Sequence, residues 1–132
     1  MQEIILLVDD TLMIHRIVGQ ILKECGYRIL KAENGQKGYE MAKTWKPDLI
    51  IMDVEMPVMD GIQATALIKA DFSLSHIPLV ILTSLGSEED IQRAYAAGAD
   101  GFLNKPISRD DLQATIRKLL DTTGAGGEEC RT

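Results

Sequence analysis

The sequence predicts an α/β fold: a five-stranded parallel sheet inside a three-layer sandwich, built from five successive strand–helix units. Three observations lead there. Five short apolar runs recur along the chain, and three of them are nearly continuous in Ile, Leu and Val. Such runs suit strands buried on both faces, as in a parallel sheet, rather than strands with one wet face. The segments between them carry apolar residues at three- and four-residue spacing, the mark of amphipathic helices. Finally, 132 residues with 45% apolar and 26% charged side chains describe one ordinary domain.

The runs are Ile4–Val8, Tyr27–Leu30, Asp48–Met52, Pro78–Leu82 and Gly101–Leu103. The first helix is expected over 11–25, with Ile14, Ile17, Val18, Ile21, Leu22 and Cys25 on one stripe and Gly26 ending it. The second spans 35–45 with Tyr39, Met41, Ala42 and Trp45, stopped by Pro47. The third spans 61–70 with Ile62, Ala66, Leu67 and Ala70. Ser87 opens the fourth, with Glu88, Glu89 and Asp90 favourably placed in its first turn, and it ends near Gly98. Ser108 caps the fifth, which turns Leu112, Ile116, Leu119 and Leu120 to the core. Parallel strands joined by helices require right-handed crossovers, hence the three layers. The domain is expected over 1–121, with 122–132 a Gly-rich tail or linker stub.

Composition excludes several function classes. A chain of this length buries roughly two-thirds of its unfolded surface and needs no disulfide to fold. Its two cysteines, Cys25 and Cys130, form no CxxC pair, which speaks against a zinc site and for a reducing, cytoplasmic setting. Cys25 reads as a core thiol. No run approaches the roughly 18–20 apolar residues of a membrane span. Fourteen basic against 20 acidic residues give a net charge of −6, unfavourable for direct nucleic-acid binding.

In an open α/β sheet, sites form beyond the carboxyl ends of the strands. Those ends are polar here: Asp9-Asp10 after the first strand, Asp53 after the third, Thr83-Ser84 after the fourth, and Asn104-Lys105-Pro106 after the fifth. Each has a plain reading: a helix cap, a turn, a solvated lysine. Their convergence on one sheet edge points elsewhere. Carboxylates brought close together repel, and a hard divalent cation such as Mg²⁺ relieves the repulsion through oxygen ligands. Lys105 adds a second positive charge and Thr83 a neutral donor. An aspartate can accept a phosphoryl group covalently, and the remainder of the set would position and neutralise that group.

The chain resembles the receiver domain of two-component response regulators over about residues 3–121. Six segments carry the resemblance in order: Leu7–Asp10, Asp48–Asp53, Met56–Gly61, Leu82–Ser84, Ala97–Phe102 and Asn104–Pro106. It implies a flavodoxin-like sheet of strand order 2-1-3-4-5. It implies Asp53 as phospho-acceptor, taking its phosphoryl group from a histidine kinase or phosphotransfer protein. Asp9, Asp10, Asp53 and the backbone carbonyl of Glu55 would hold Mg²⁺, with Mn²⁺ as a substitute. Thr83 and Phe102 would be the switch residues, and Lys105 would pair with Asp53 or its phosphate. Lys105-Pro106 matches a bond usually cis in the family. The output surface would be the fourth helix, fifth strand and fifth helix, binding a downstream protein. Such a module is a monomer or weak dimer, and not an enzyme beyond accepting and losing its own phosphoryl group.

Ile14 reads equally as core or as part of a docking surface with Pro106 and Ile107. His15 and His76 read as surface histidines. Gly101, where dimerising transcription factors of the family carry a second Asp, weakens the expectation of their symmetric dimer. Two further readings stand beside a stand-alone regulator: a receiver cut from a larger regulator or hybrid kinase, and an aspartate-nucleophile phosphatase. The last is opposed by Glu55, which replaces the second catalytic acid such enzymes carry, and by the lack of a substrate cap.

Overall fold

The structure, a computed structural model, describes residues 3–54, 59–83, 88–104 and 107–123. Ten elements alternate: β1 (Ile4–Val8), α1 (Leu12–Glu24), β2 (Arg28–Ala32), α2 (Gly35–Trp45), β3 (Leu49–Asp53), α3 (Gly61–Ala70), β4 (Leu79–Thr83), α4 (Glu88–Ala96), β5 (Gly101–Asn104) and α5 (Arg109–Thr123). All paired strands are parallel, in the order β2-β1-β3-β4-β5 expected from the resemblance. Ser87 and the expected cis bond at Lys105-Pro106 lie outside the described residues.

The period-two alternation of the strands divides the interior into two cores. Ile5, Leu7, Leu49, Ile51, Val80 and Leu82 point to one face, where Val18 and Leu22 of α1 and Leu112, Ile116 and Leu120 of α5 meet them. Leu6, Val8, Ile50, Met52, Leu79 and Ile81 point to the other, against Ala42 of α2, Ala64 and Ile68 of α3 and Ala94 of α4. Every residue of β3 and β4 is buried, which explains why those runs are continuously apolar. β2, an edge strand, keeps two exposed cations, Arg28 and Lys31, which discourage further strand pairing.

One helix, α3, buries a different face from the one hydrophobicity selects, and α1 departs from its expected stripe at Ile17 alone. In α3 the buried residues are Gly61, Ala64, Thr65 and Ile68, while Leu67 is 41% exposed. Small side chains let this helix lie close to the sheet, and the Thr65 hydroxyl is satisfied by donating to the Gly61 carbonyl at 2.7 Å. In α1, Ile17 is exposed and His15 is buried with Val18, Gly19, Ile21 and Leu22. Cys25 packs, partly buried, against the first core.

Local chemistry sets the helix starts. Asp60 and Gln63 form a reciprocal capping box on α3, with Gln63 N–H donating to Asp60 Oδ1 at 2.8 Å and Asp60 N–H to Gln63 Oε1 at 3.2 Å. Asn34 caps α2 by accepting from Lys37 N–H. Lys69 ties α3 to the entry of β4: its ammonium donates to the carbonyls of Ser75 and Ile77 and to Asp100, which also accepts from Leu79 N–H.

Candidate functional site

β1 pairs with β2 on one side and β3 on the other, so the chain leaves β1 and β3 in opposite directions. This is the crevice where an open α/β sheet binds ligands. Val8 and Met52 are the last paired residues of the two strands. Asp9 and Asp53 follow them directly, on the face that carries Ile5 and Leu7 in β1 and Leu49 and Ile51 in β3. Parallel strands lie roughly 4.8 Å apart, so this register sets the two carboxylates side by side. Asp10, next in the chain, joins them from the exposed rim. Asp9, Asp10 and Asp53 each offer an oxygen, and these oxygens all lie within 4.8 Å of one another.

Asp9 and Asp53 are buried, at 0% and 2% exposure, and Asp10 is exposed. At such separations two carboxylate charges repel by roughly 3–4 kcal/mol at an effective dielectric of about 20. A hard cation with oxygen preference would turn that repulsion into ligation, so the donor set fits a magnesium-type ion.

The backbone holds the acids firmly. Asp9 N–H donates to the Ala32 carbonyl at 3.1 Å, extending the ladder to β2. Asp9 Oδ1 accepts from Thr11 N–H at 2.7 Å, so Asp9 restrains the start of α1 while Thr11 stands at the cap position. Below Asp53, Val54 N–H donates to Leu82 at 3.1 Å and Gly61 N–H to Val54 at 2.9 Å. Gly61 approaches so closely that a Cβ there would stand 2.0 Å from the Asp53 carbonyl oxygen. Only glycine fits.

Thr83 ends β4, buried at 3%, opposite Asn104. Its side chain lies on the face that carries Leu79 and Ile81, not on that of Asp53. Phe102, paired with Ile81, occupies this same face, packs on the second core and meets Tyr95 edge-on at 6.2 Å between ring centres. Thr83 and Phe102 are thus diagonal neighbours across β4 and β5. A cavity of about 210 Å³ opens beside Phe102, lined by Tyr95, Phe102, Thr115 and Lys118 among others. Ile14 and Ile107 both pack, partly exposed, against the first core. Lys105, Pro106 and Glu55 lie outside the described residues.

Sequence reasoning missed His15. Its ring is buried, and Nε2 lies 2.6 Å from the Asp9 carbonyl oxygen. The signal was present: His15, Val18 and Leu22 share one helical stripe, but a charged-capable residue was not counted on it. It included Gly61 within a resembling segment but did not read the close approach to the Asp53 backbone that requires a glycine there, because that approach is tertiary.

Comparison with known proteins agrees with this geometry. The family profile described as response regulator receiver domain matches residues 5–117. The chain is 40% identical over 116 residues to the chemotaxis protein CheY of Halobacterium salinarum, covering 88% of this chain and 95% of that protein. It is 35% identical over 125 residues to the phosphate regulon transcriptional regulatory protein PhoB of Pseudomonas aeruginosa, covering 95% of this chain but 55% of that one. Among solved structures, the receiver domain of a sensor histidine kinase from P. aeruginosa, with magnesium coordinated in its active-site cleft, superposes with a TM-score of 0.86. It shares 29% identity, covering 92% of this chain and 99% of that one. With the profile spanning most of its length and its sheet in the matching order, the chain belongs to the response regulator receiver domain family.

Proposed function

We propose that this receiver domain takes a phosphoryl group onto Asp53 from a histidine kinase or phosphotransfer protein. The observation that carries the reading is the convergence of Asp9, Asp10 and Asp53 oxygens within 4.8 Å at the β1/β3 crevice. An Asp53 carboxylate oxygen attacks phosphorus, the bond from phosphorus to the donor's imidazole nitrogen breaks, and an acyl phosphate forms. Asp9, Asp10, Asp53 and the Glu55 carbonyl would hold Mg²⁺, which supplies charge neutralisation at the phosphoryl oxygens when bound. Lys105 pairs with a phosphoryl oxygen, and the Thr83 hydroxyl donates to another.

The output is a two-state change. Drawing Thr83 toward the phosphoryl group empties space on the face it shares with Phe102 and lets that ring turn inward. Tyr95 leans on Phe102, so the turn alters the α4–β5–α5 surface, where a downstream protein binds. The net charge of −6 favours a protein over a nucleic acid as that partner.

Intact-mass spectrometry after incubation with Mg²⁺ and a small-molecule phosphodonor tests the reading. The wild type gains one phosphoryl group and Asp53→Asn gains none. Equal labelling of both refutes the assignment of Asp53, and release of free phosphate from a range of phosphomonoesters would favour a phosphatase instead.

A further inference from the structure

We propose that His15 is a positioning residue for the cation site: it fixes Asp9 through the backbone carbonyl and so sets the cation affinity of the acid cluster. This rests on the metal-binding reading given above. His15 sits in the first turn of α1, where Cα–Cβ bonds tilt toward the helix N-terminus, so its ring reaches back over Thr11 to Asp9. The ring is 7% exposed. Its Nε2 lies 2.6 Å from the Asp9 carbonyl oxygen. A carbonyl only accepts, so Nε2 carries the hydrogen, and the tautomer follows from the partner.

The bond completes a three-point hold on one residue. Asp9 N–H is tied to Ala32 in β2, Asp9 Oδ1 to Thr11 N–H, and Asp9 O to His15. Val8 is the last residue of β1, so the Asp9 carbonyl has passed the end of the strand ladder. Without His15, the peptide after Asp9 loses the restraint on its carbonyl. That peptide joins Asp9 to Asp10, two of the three acids. Its rotation would displace Asp10, and the Thr11 N–H that holds the Asp9 carboxylate, relative to Asp53, which is anchored separately through Val54 and Gly61. Groups that orient metal ligands from behind typically change metal affinity 10–100-fold when removed.

The test compares His15→Gln with His15→Met, two side chains of similar shape that differ in the N–H donor. Mg²⁺ alone is titrated into each folded protein by calorimetry, and urea unfolding is recorded in parallel without metal. The expected result is wild-type affinity within about threefold for His15→Gln and a loss of about tenfold or more for His15→Met. A merely structural role would lower the urea midpoint and leave the affinity of the folded protein unchanged, which overturns the proposal. Equal weakening of both variants overturns it too. If His15→Met does not fold, His15→Leu takes its place: a loss of about tenfold relative to His15→Gln supports the role, and equal affinity of the two refutes it. If the wild type itself binds no Mg²⁺, the metal-binding reading fails rather than the role of His15.

Discussion

Gly61→Ala puts the link between packing and site to a direct test. A Cβ at this position stands 2.0 Å from the Asp53 carbonyl oxygen, 2.7 Å from its carbon and 2.9 Å from Val54 Cα. Real Cβ atoms essentially never come within 3.0 Å of another group, so the backbone must part by about 1 Å. All three contacts are main chain, and no side-chain rotation relieves them. Overpacking of this kind costs roughly 1–3 kcal/mol. Lengthening the Gly61 N–H to Val54 bond of 2.9 Å adds about 1 kcal/mol. The sum, about 2–4 kcal/mol, corresponds to a fall in Tm of about 10 °C for a domain of this size. Because the displaced backbone carries Asp53, phosphoryl acceptance should also slow by about 100-fold, the usual consequence of a 1 Å misplacement. Gly26→Ala is the control. It has φ +90° with nothing within 4 Å of a built Cβ, so it costs roughly 1–2 kcal/mol of left-handed strain, and it leaves the acceptor rate unchanged. Urea unfolding and time-resolved mass spectrometry with a small phosphodonor measure both effects. If Gly61→Ala unfolds within about 0.5 kcal/mol of wild type, or accepts phosphoryl as fast, the reasoning is wrong.

Ile51→Ala, at a fully buried site in the central strand, should cost roughly 2–5 kcal/mol in urea denaturation, whereas Phe72→Ser, at 97% exposure, should stay within about 0.5 kcal/mol. Hydrogen bonds from the Ser73 hydroxyl and backbone N–H, helped by Tyr39 and Lys43, hold the Asp71 carboxyl below its ordinary value of 3.8 against the opposing effect of burial. A depressed folded-state pKa stabilises above the unfolded value and is lost as pH falls through the folded one. Urea midpoints measured between about pH 5 and pH 3 should therefore fall less steeply for Asp71→Asn than for wild type, and parallel curves would contradict the assignment. Lys105→Ala should still gain a phosphoryl group slowly but no longer strengthen binding of a downstream partner; a pull-down in which it behaves like the phosphorylated wild type would remove Lys105 from the switch.

Much of the architecture was legible because it follows from short-range rules. Continuous Ile, Leu and Val marked β3 and β4, since strands buried on both faces have no polar side to show. Ser108 marked the start of α5 through its own side chain, whereas the caps that Asn34 and Asp60 supply to α2 and α3 were not read from the sequence. Where packing overrode hydrophobicity, sequence reading erred. α3 presents Ala64, Thr65 and Ile68 rather than Leu67 to the sheet, because a close helix–sheet approach favours small residues. α1 turns Ile17 outward and His15 inward, because the helix begins beside a site whose carbonyl needs a donor.

The sequence by itself determined the repeating strand–helix order and the polar residues that end the strands, since both depend on neighbours along the chain. Tertiary structure alone decided what those ends do together. The β1–β3 register sets Asp9 beside Asp53. The parity of β4 and β5 gives Thr83 and Phe102 a common face. The absence of a side chain at Gly61 admits α3 against the Asp53 backbone. Each relation joins residues far apart in the chain, and the distances that matter to charge and sterics exist only once the sheet has formed.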